Sequence, residues 1–194
     1  LGQKTEFNYE YIAGSFFKRM TSFTDARGNK TSYTYDAHGN LEATIYPNGS
    51  VERLSAYTVS GLPGTSFNRR GQVLSYTYNA AGQVTRQTFA DSSFVTFEYD
   101  TRGNLTRVTD GAEITTYTYS FATDGDRLKR ITYPNGRYLD YQYDAFGRRT
   151  RMTDQDGYQT RYEYDAAGRL YRLRDAADTL LVTYTYDASG RLSR

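Results

Sequence analysis

Hydrophobic and polar residues alternate along this chain in short runs that Gly, Asp and Asn repeatedly interrupt. The most regular run is aromatic-x-Tyr-Asp-x-x-Gly-x-Leu, as in Tyr162, Tyr164, Asp165 and Gly168. Aromatic residues at positions i and i+2 of a β-strand point to one face, and the residue between them points to the other. No segment sustains a 3.6-residue period, so the pattern predicts short strands and no substantial helix.

This run recurs along the whole chain. Leading aromatic residues stand at positions 9, 33, 57, 76, 97, 117, 141, 162 and 184, so we expect one array over residues 1–194 with about nine repeats. The repeat-defining residues are Tyr33, Tyr35, Asp36, Gly39, Tyr76, Tyr78, Gly82, Tyr99, Asp100, Gly103, Tyr141, Tyr143, Asp144, Gly147, Tyr162, Tyr164, Asp165, Gly168, Tyr184, Tyr186, Asp187 and Gly190. Degenerate copies begin at Tyr9, Tyr57 and Tyr117. Such regularity is typical of a repeat architecture.

Two turns per repeat are predicted from residue chemistry. Asp, or Asn79 in one copy, begins the first turn because its side chain accepts bonds from backbone N–H groups two residues on. The Gly three residues later supplies a positive φ. A second turn carries Asp-Gly or Pro-Asn-Gly, as at Asp156 and Pro134. Each repeat is therefore predicted to be a β-hairpin.

Isolated hairpins are marginal in water, so the repeats must pair side by side. We predict an all-β fold, a long antiparallel sheet of stacked hairpins that coils into an arc or spiral and exposes strands at its ends. Stacking also creates an arginine column, which repels itself unless carboxylates or tyrosine rings intervene. Its members are Arg86, Arg107, Arg130, Arg151, Arg172 and Arg194.

Composition supports a sheet with two partly wet faces rather than a compact aliphatic core. Hydrophobic residues make up 38% of the chain and aromatic residues 16%, with 21 Tyr and no Trp. The net charge of +2, with charges of both signs interspersed, argues against a nucleic-acid partner. No apolar run is long enough for a membrane helix. The absence of Cys excludes disulfides and thiol catalysis, and we predict no cofactor.

Tyr162-x-Tyr-Asp-x-x-Gly-Arg-Leu170 and its sister copies resemble the YD or Rhs repeat of bacterial Rhs and polymorphic toxins, Tc toxin shell components and teneurins. The resemblance implies a β-sheet that spirals into a hollow shell around a C-terminal effector. Rhs cores end in an Asp-Pro autoproteolytic segment, and this chain has none, since its prolines are Pro47, Pro63 and Pro134. We therefore expect an arc of shell from a longer protein, without self-cleavage or toxicity of its own.

Few residues offer catalytic chemistry. His38 is the only histidine and lies within a turn, where a solvated role is the simpler reading. The recurring Asp36, Asp100, Asp144, Asp165 and Asp187 could suggest paired carboxylates of a glycosidase, but turn capping explains all of them together. Asp154-x-Asp156 and Asp124-Gly-Asp126 echo calcium loops without the other ligands. We expect no enzyme and no metal site.

The leading hypothesis is a structural shell that encapsulates a C-terminal toxin or effector in a secreted bacterial protein. Its expected partners are further repeats and a passenger domain of the same polypeptide. The alternative is a cell-surface adhesion or carbohydrate-binding module, in which flat rings such as Tyr143 and Tyr164 stack on a glycan or contact a surface protein. Both hypotheses place the protein outside the cell or at its surface.

Overall fold

The structure is a computed structural model that describes residues 4–12, 16–120 and 125–193. In these residues the fold is all-β, with seventeen antiparallel strands of three to eight residues, which confirms the predicted fold class. The strands are β1 Glu6–Tyr11, β2 Lys18–Thr24, β3 Lys30–Tyr35, β4 Leu41–Ile45, β5 Val51–Ser55, β6 Thr65–Phe67, β7 Val73–Tyr78, β8 Val84–Phe89, β9 Phe94–Tyr99, β10 Leu105–Asp110, β11 Glu113–Ser120, β12 Arg127–Thr132, β13 Tyr138–Tyr143, β14 Arg149–Asp154, β15 Gln159–Tyr164, β16 Leu170–Arg174 and β17 Leu180–Thr183.

The chain divides into two units, residues 1–96 and 97–194. In the first unit each strand from β1 to β8 pairs antiparallel with the strand that follows it in sequence. In the second unit the same holds from β10 to β17. Each unit is thus a run of hairpins connected by short turns, as the repeat predicts.

A β-bulge recurs in the hairpins that carry the tyrosine motif. The register shifts immediately before Tyr35, Tyr78, Tyr119, Tyr143 and Tyr164. Opposite each shift the partner strand has one extra residue, as where Thr77 faces Arg86 and Tyr78 faces Val84. Bulges bend a strand and increase its twist. The predicted coiling into an arc or spiral stays a prediction.

The interior of the sheet is thin, as the composition indicates. Among the described residues only Ala43, at 8% exposed, is a buried apolar side chain, and Ser22 is the buried polar one. Most strand residues are half-buried, including the paired tyrosines. Strands β1 and β17 are exposed along their whole length. Stability therefore rests on cross-strand contacts and hydrogen bonds rather than on a fully dehydrated core.

Two copies of the repeat depart from a regular hairpin. Tyr57 lies in the connection between β5 and β6, not in a strand, and Ala56 before it has a φ of 53°. Tyr184 and Tyr186 follow β17, and Tyr186 forms only an isolated bridge with Leu192. The degenerate copies that begin at Tyr9 and Tyr117 lead into residues outside the described ones. No helix among the described residues is long and apolar enough to cross a membrane.

Candidate functional site

The turn that begins at Asp165 shows why the motif has its residues at their spacing. The Asp165 N–H donates to the Arg169 carbonyl, and the Gly168 N–H donates to the Asp165 carbonyl, both at 2.9 Å. Gly168 has a φ of 79°, which closes a three-residue hairpin loop of the type I plus bulge kind. The Asp165 Oδ1 accepts the N–H groups of Ala167 and Arg169 at 3.0 and 2.9 Å. One carboxylate thus satisfies two turn donors.

The same contacts occur at the other described turns that follow an aromatic pair. Asp36, Asn79, Asp100, Asp144 and Asp187 each accept from the backbone N–H groups two and four residues ahead. The closing glycines at positive φ are Gly39, Gly82, Gly103, Gly147 and Gly190. The second turn at Asp154 has this geometry too. A single turn design therefore serves both ends of the hairpins.

The residue directly after the turn glycine, which the sequence motif leaves unspecified, bonds to the first residue of the turn. Arg148, Arg169 and Arg191 donate from Nε to the second carboxylate oxygen of their turn Asp at 2.7–2.8 Å. Asn40 and Asn104 donate to Asp36 and Asp100 at 3.0 Å. The pair therefore ties the two ends of the loop together.

Where the turn begins with Asn, the direction of this side-chain bond reverses. Asn79 Nδ2 donates to Gln83 Oε1 at 3.0 Å, and Asn68 Nδ2 donates to Gln72 Oε1 at 2.8 Å. An amide nitrogen needs an acceptor, whereas a carboxylate needs a donor. The pairing of Asp with Asn or Arg, and of Asn with Gln, is visible in the sequence and could have identified this position.

These bonds lower the pKa of the turn carboxyls. For Asp36 and Asp100 the largest cause is the side-chain bond from Asn40 or Asn104. For Asp165 and Asp187 it is the backbone bond from Arg169 or Arg191. At Asp144, desolvation opposes the shift, but the bonds from Arg148 outweigh it and the pKa is still lowered. The carboxyls are held in the ionised form that the turn requires.

The second tyrosine of the motif makes a contact that sequence reasoning missed. Its hydroxyl donates to a backbone carbonyl 14–16 residues earlier, in the preceding repeat, and we name this bond the tyrosine clip. Clips join Tyr35 to Met20, Tyr78 to Pro63, Tyr119 to Leu105, Tyr143 to Leu128, Tyr164 to Arg149 and Tyr186 to Leu170 at 2.7–2.9 Å. In the degenerate copy with a single tyrosine directly before the turn, Tyr57 makes the same bond to Leu41. Partial burial raises the pKa of the Tyr35, Tyr78, Tyr119 and Tyr164 hydroxyls.

An arginine in the turn of one repeat contacts the clip tyrosine of the next repeat. Arg148, paired with Asp144 in its own turn, lies 4.5 Å from the ring centroid of Tyr164. Arg169, paired with Asp165, lies 4.4 Å from the ring of Tyr186. A guanidinium over an aromatic face is attractive. In these two copies the turn of one repeat therefore supports the clip of the next.

The leading tyrosines have less uniform surroundings. Tyr76 shares a 3.3 Å hydroxyl contact with Ser66, and Tyr141 and Tyr162 both lie near Arg149. Tyr33 faces Thr44 across the strand pair, and the Tyr184 N–H donates to the Tyr171 carbonyl. Tyr99 is the second tyrosine of the copy that begins at Phe97, and it ends β9. Where the leading ring is a tyrosine, its surroundings thus differ from copy to copy.

Carboxylates or rings contact four arginines of the predicted column, which reduces the repulsion between them. Arg130 forms a two-pronged pair with Asp140, both bonds at 2.6 Å, and stacks on Tyr138. The other contacts join Arg86 to Phe94, Arg107 to Glu98 and Arg172 to Tyr171. Arg151 faces Gln142 and Arg161 across the strands. Arg194 lies outside the described residues.

The residues weighed for catalysis or metal binding lie in solvated turns. His38 is exposed, and only its backbone N–H bonds to Asp36. Asp156 pairs with Arg137, and Asp126 pairs with Arg102. Asp124 lies outside the described residues. Across residues 4–12, 16–120 and 125–193, no three His, Asp or Glu side chains group closely enough to hold a metal ion.

Comparison with known proteins points to one type of repeat. The chain matches the Teneurin YD-shell family over residues 57–153 and the RHS Repeat family over residues 18–51 and 149–180. These matches confirm the resemblance that the motif indicates.

Two curated relatives are far longer than this chain. Double-stranded DNA deaminase toxin A of Burkholderia cenocepacia is 29% identical over 125 residues, which are 64% of this chain and 8% of that protein. The tRNA3(Ser)-specific nuclease WapA of Bacillus spizizenii is 29% identical over 173 residues, covering 72% of this chain and 7% of the relative. The chain thus spans less than a tenth of the length of either relative.

A solved structure shares the fold. The crystal structure of TcdB2-TccC3-TEV superposes with a TM-score of 0.69 at 16% identity, covering 98% of this chain and 12% of that one. At this identity the likeness concerns the fold alone.

Proposed function

We propose a function from one premise, that this chain belongs to the family of RHS and teneurin YD-shell repeat proteins. Its repeat region is structural, and we infer that it forms part of the wall of a shell that encloses a passenger segment of the same polypeptide. The passenger would be a toxin or effector C-terminal to the repeats, in a secreted or surface-located bacterial protein. The toxin and the nuclease among its relatives support this reading.

The observation that carries the proposal is the tyrosine clip. Each clip joins a hairpin to the preceding repeat, so that consecutive hairpins are held by more than strand pairing. A wall must resist separation of neighbouring strands, and a repeated cross-repeat bond serves that need. We propose no enzymatic role for this region. We likewise propose that residues 1–194 form one array.

Protection of the passenger tests this function. The natural full-length polypeptide is expressed intact and imaged by cryo-electron microscopy, and the segment after the repeats is followed by limited proteolysis. We expect an enclosed volume and slow cleavage of that segment. Replacing Tyr143, Tyr164 and Tyr186 together by Phe removes three clips and is expected to accelerate cleavage.

Tyr158→Phe is the matched control for that experiment, because Tyr158 is 76% exposed and takes no part in a clip. It should leave the cleavage rate unchanged. An image without an enclosed volume, or a C-terminal segment cleaved as fast as an unfolded chain in the unmodified protein, would contradict encapsulation.

Carbohydrate binding gains no support from the relatives and stays a prediction. The hydroxyls of Tyr143 and Tyr164 already donate to backbone carbonyls, so they are engaged in the wall itself. Replacing either with Ala would remove a clip together with the ring. A glycan-binding experiment therefore needs Tyr→Phe variants and exposed rings such as Tyr158 as comparisons.

A further inference from the structure

Arg149 interrupts a column of aliphatic side chains. The position two residues after the turn glycine holds Leu41, Val84, Leu105, Leu170 and Leu192 in the other complete copies of the motif, and Arg149 in the copy that begins at Tyr141. Arg149 faces Tyr143 across the strand pair, and Leu170 faces Tyr164 in the same way. A guanidinium thus occupies a place on the tyrosine face where the other complete copies place an apolar side chain.

Tyrosine rings surround this cation. The Arg149 guanidinium carbon lies 4.4 Å from the ring centroid of Tyr141 and 5.6 Å from that of Tyr162. The backbone carbonyl of Arg149 accepts the clip from Tyr164. The rings and the clip hold Arg149 in place within its repeat.

No carboxylate neutralises Arg149 in the part of the chain that the structure describes. Its neighbours Arg148 and Arg169 each pair with the Asp of their own turn, at 2.7 Å. The side chains that contact its guanidinium are the rings of Tyr141 and Tyr162. A half-buried charge without a counter-ion is costly, and ring contacts compensate only in part.

We propose that Arg149, with Tyr141 and Tyr162 beside it, forms a binding site for a single carboxylate. The guanidinium edge presents paired N–H donors that match the two oxygens of a carboxylate. A single guanidinium suits a single negative charge. The tyrosine rings offer an apolar surface for the carbon atoms that bear the carboxylate. The site does not depend on the proposed enclosing function.

The carboxylate could belong to a free small acid or to a Glu side chain of a polypeptide, and two probes distinguish these sources. The 194-residue chain is titrated at constant ionic strength with sodium acetate against sodium chloride. In parallel it is titrated with a short peptide that contains one Glu, against the same peptide with Gln. We expect acetate and the Glu peptide to shift the Nε–H resonance of Arg149 in the NMR spectrum, and the Gln peptide to leave it unchanged. Tighter binding of the Glu peptide than of acetate assigns the site to a polypeptide, and equal binding assigns it to the small acid.

Arg149→Leu restores the residue of the sister copies and is expected to fold. It should weaken carboxylate binding by about tenfold or more, since charge-assisted bonds are lost. Arg151→Leu is the matched control, because it makes the same charge change on the same strand. The bulge before Tyr143 puts Arg151 opposite Gln142 rather than opposite a tyrosine, on the other face of the sheet. This variant should bind as the unmodified chain does. Arg149→Lys keeps the charge without the paired donors and should bind weakly, and it replaces the Leu variant if that variant does not fold.

If the Arg149 variants bound acetate and the Glu peptide as tightly as the unmodified chain does, the proposed site would be wrong. The absence of any carboxylate-specific shift of the Arg149 resonance in the unmodified chain would contradict it too, and this test needs no variant at all.

Discussion

At the scale of single residues, donor and acceptor complementarity decides which side chains the repeat uses. Asp36 accepts from the backbone and from Asn40, while Asn79 must find an acceptor in Gln83. The tyrosine hydroxyl bonds to a carbonyl of another repeat. A polar atom that folding takes from water needs such a partner, because leaving it unpaired costs more than the bond contributes.

Removing one clip hydroxyl should lower the stability measurably. Tyr35→Phe keeps the ring but leaves the Met20 carbonyl without its 2.7 Å donor, so the free energy of unfolding should fall by about 1 kcal/mol. Urea unfolding followed by circular dichroism measures the change. Tyr33→Phe, on the same strand and face but not in a clip, is the control. Equal losses in the two variants would show that the clip contributes nothing.

Reversing a donor at the turn should be destabilising at neutral pH. In Asn40→Asp the donor to Asp36 becomes a second carboxylate, so two like charges meet where a hydrogen bond stood. Asn48→Asp makes the same charge change in another turn, but Asn48 Oδ1 only accepts from Ser50, which a carboxylate also does. We expect a lower urea midpoint at pH 7 for the first variant and a nearly unchanged one for the second. A similar midpoint shift in both would contradict the donor role of Asn40.

At the scale of elements, the hairpin turn is the unit that repeats most faithfully. Its backbone bonds recur where the first residue is Asp, Asn or Thr58, and where Pro-Asn-Gly forms the second turn. In the Pro-Asn-Gly turns the capping oxygen comes from the Asn at the third position, as Asn135 shows by accepting from the Arg137 N–H. The backbone geometry is therefore constant while the capping side chain varies.

Acid should unfold the chain through its turns. The folded pKa is lowered for Asp25, Asp36, Asp91, Asp100, Asp144, Asp165, Asp175 and Asp187. Depressed carboxyl pKa values contribute stability that is present above the unfolded value of about 3.9 and is lost as pH falls through the folded values. Urea midpoints should therefore be constant from pH 7 to 5 and fall between pH 4 and 2.

Asp165→Asn provides the control for this pH dependence, because it retains an acceptor for the backbone but no longer titrates. Its urea midpoint should fall less steeply in acid than that of the unmodified chain. A midpoint that does not change between pH 5 and 2 in the unmodified chain would refute the link between turn aspartates and stability.

At the scale of the molecule, each unit is a sheet of hairpins whose two faces are both partly wet. Arginine-tyrosine stacking and ion pairs such as Arg130–Asp140 fill the place that an aliphatic core has in a globular domain. Half-buried tyrosine rings tolerate contact with water because a tyrosine is apolar along its body and polar at its tip. Such a sheet suits a wall, since both of its faces are stable next to water or another surface.

The thin interior should appear in calorimetry. The heat capacity change of unfolding scales with apolar surface exposed, and ordinary globular proteins show about 12–15 cal/mol/K per residue. With Ala43 as the one buried apolar side chain of the described residues, we expect a clearly lower value per residue from differential scanning calorimetry. A value within the globular range would indicate a dehydrated interior that these contacts do not provide.

The local pattern alone determined most of the strands, the turn positions and the family, although Tyr57 and Tyr184 lie outside the strands. Alternation places both tyrosines of Tyr162-x-Tyr164 on one face, and the chemistry of Asp165 and Gly168 sets the turn, because all of these effects act within a few residues. The hydroxyl of Tyr164 illustrates the limit of that reasoning.

Only the tertiary structure decided that this hydroxyl reaches Arg149, fifteen residues earlier, in the preceding repeat. It also decided that Arg148 pairs with Asp144 while Arg149, one residue on, meets tyrosine rings and no carboxylate. Sequence separation says nothing of these contacts, since the strand register and the bulge before Tyr143 determine which side chains meet.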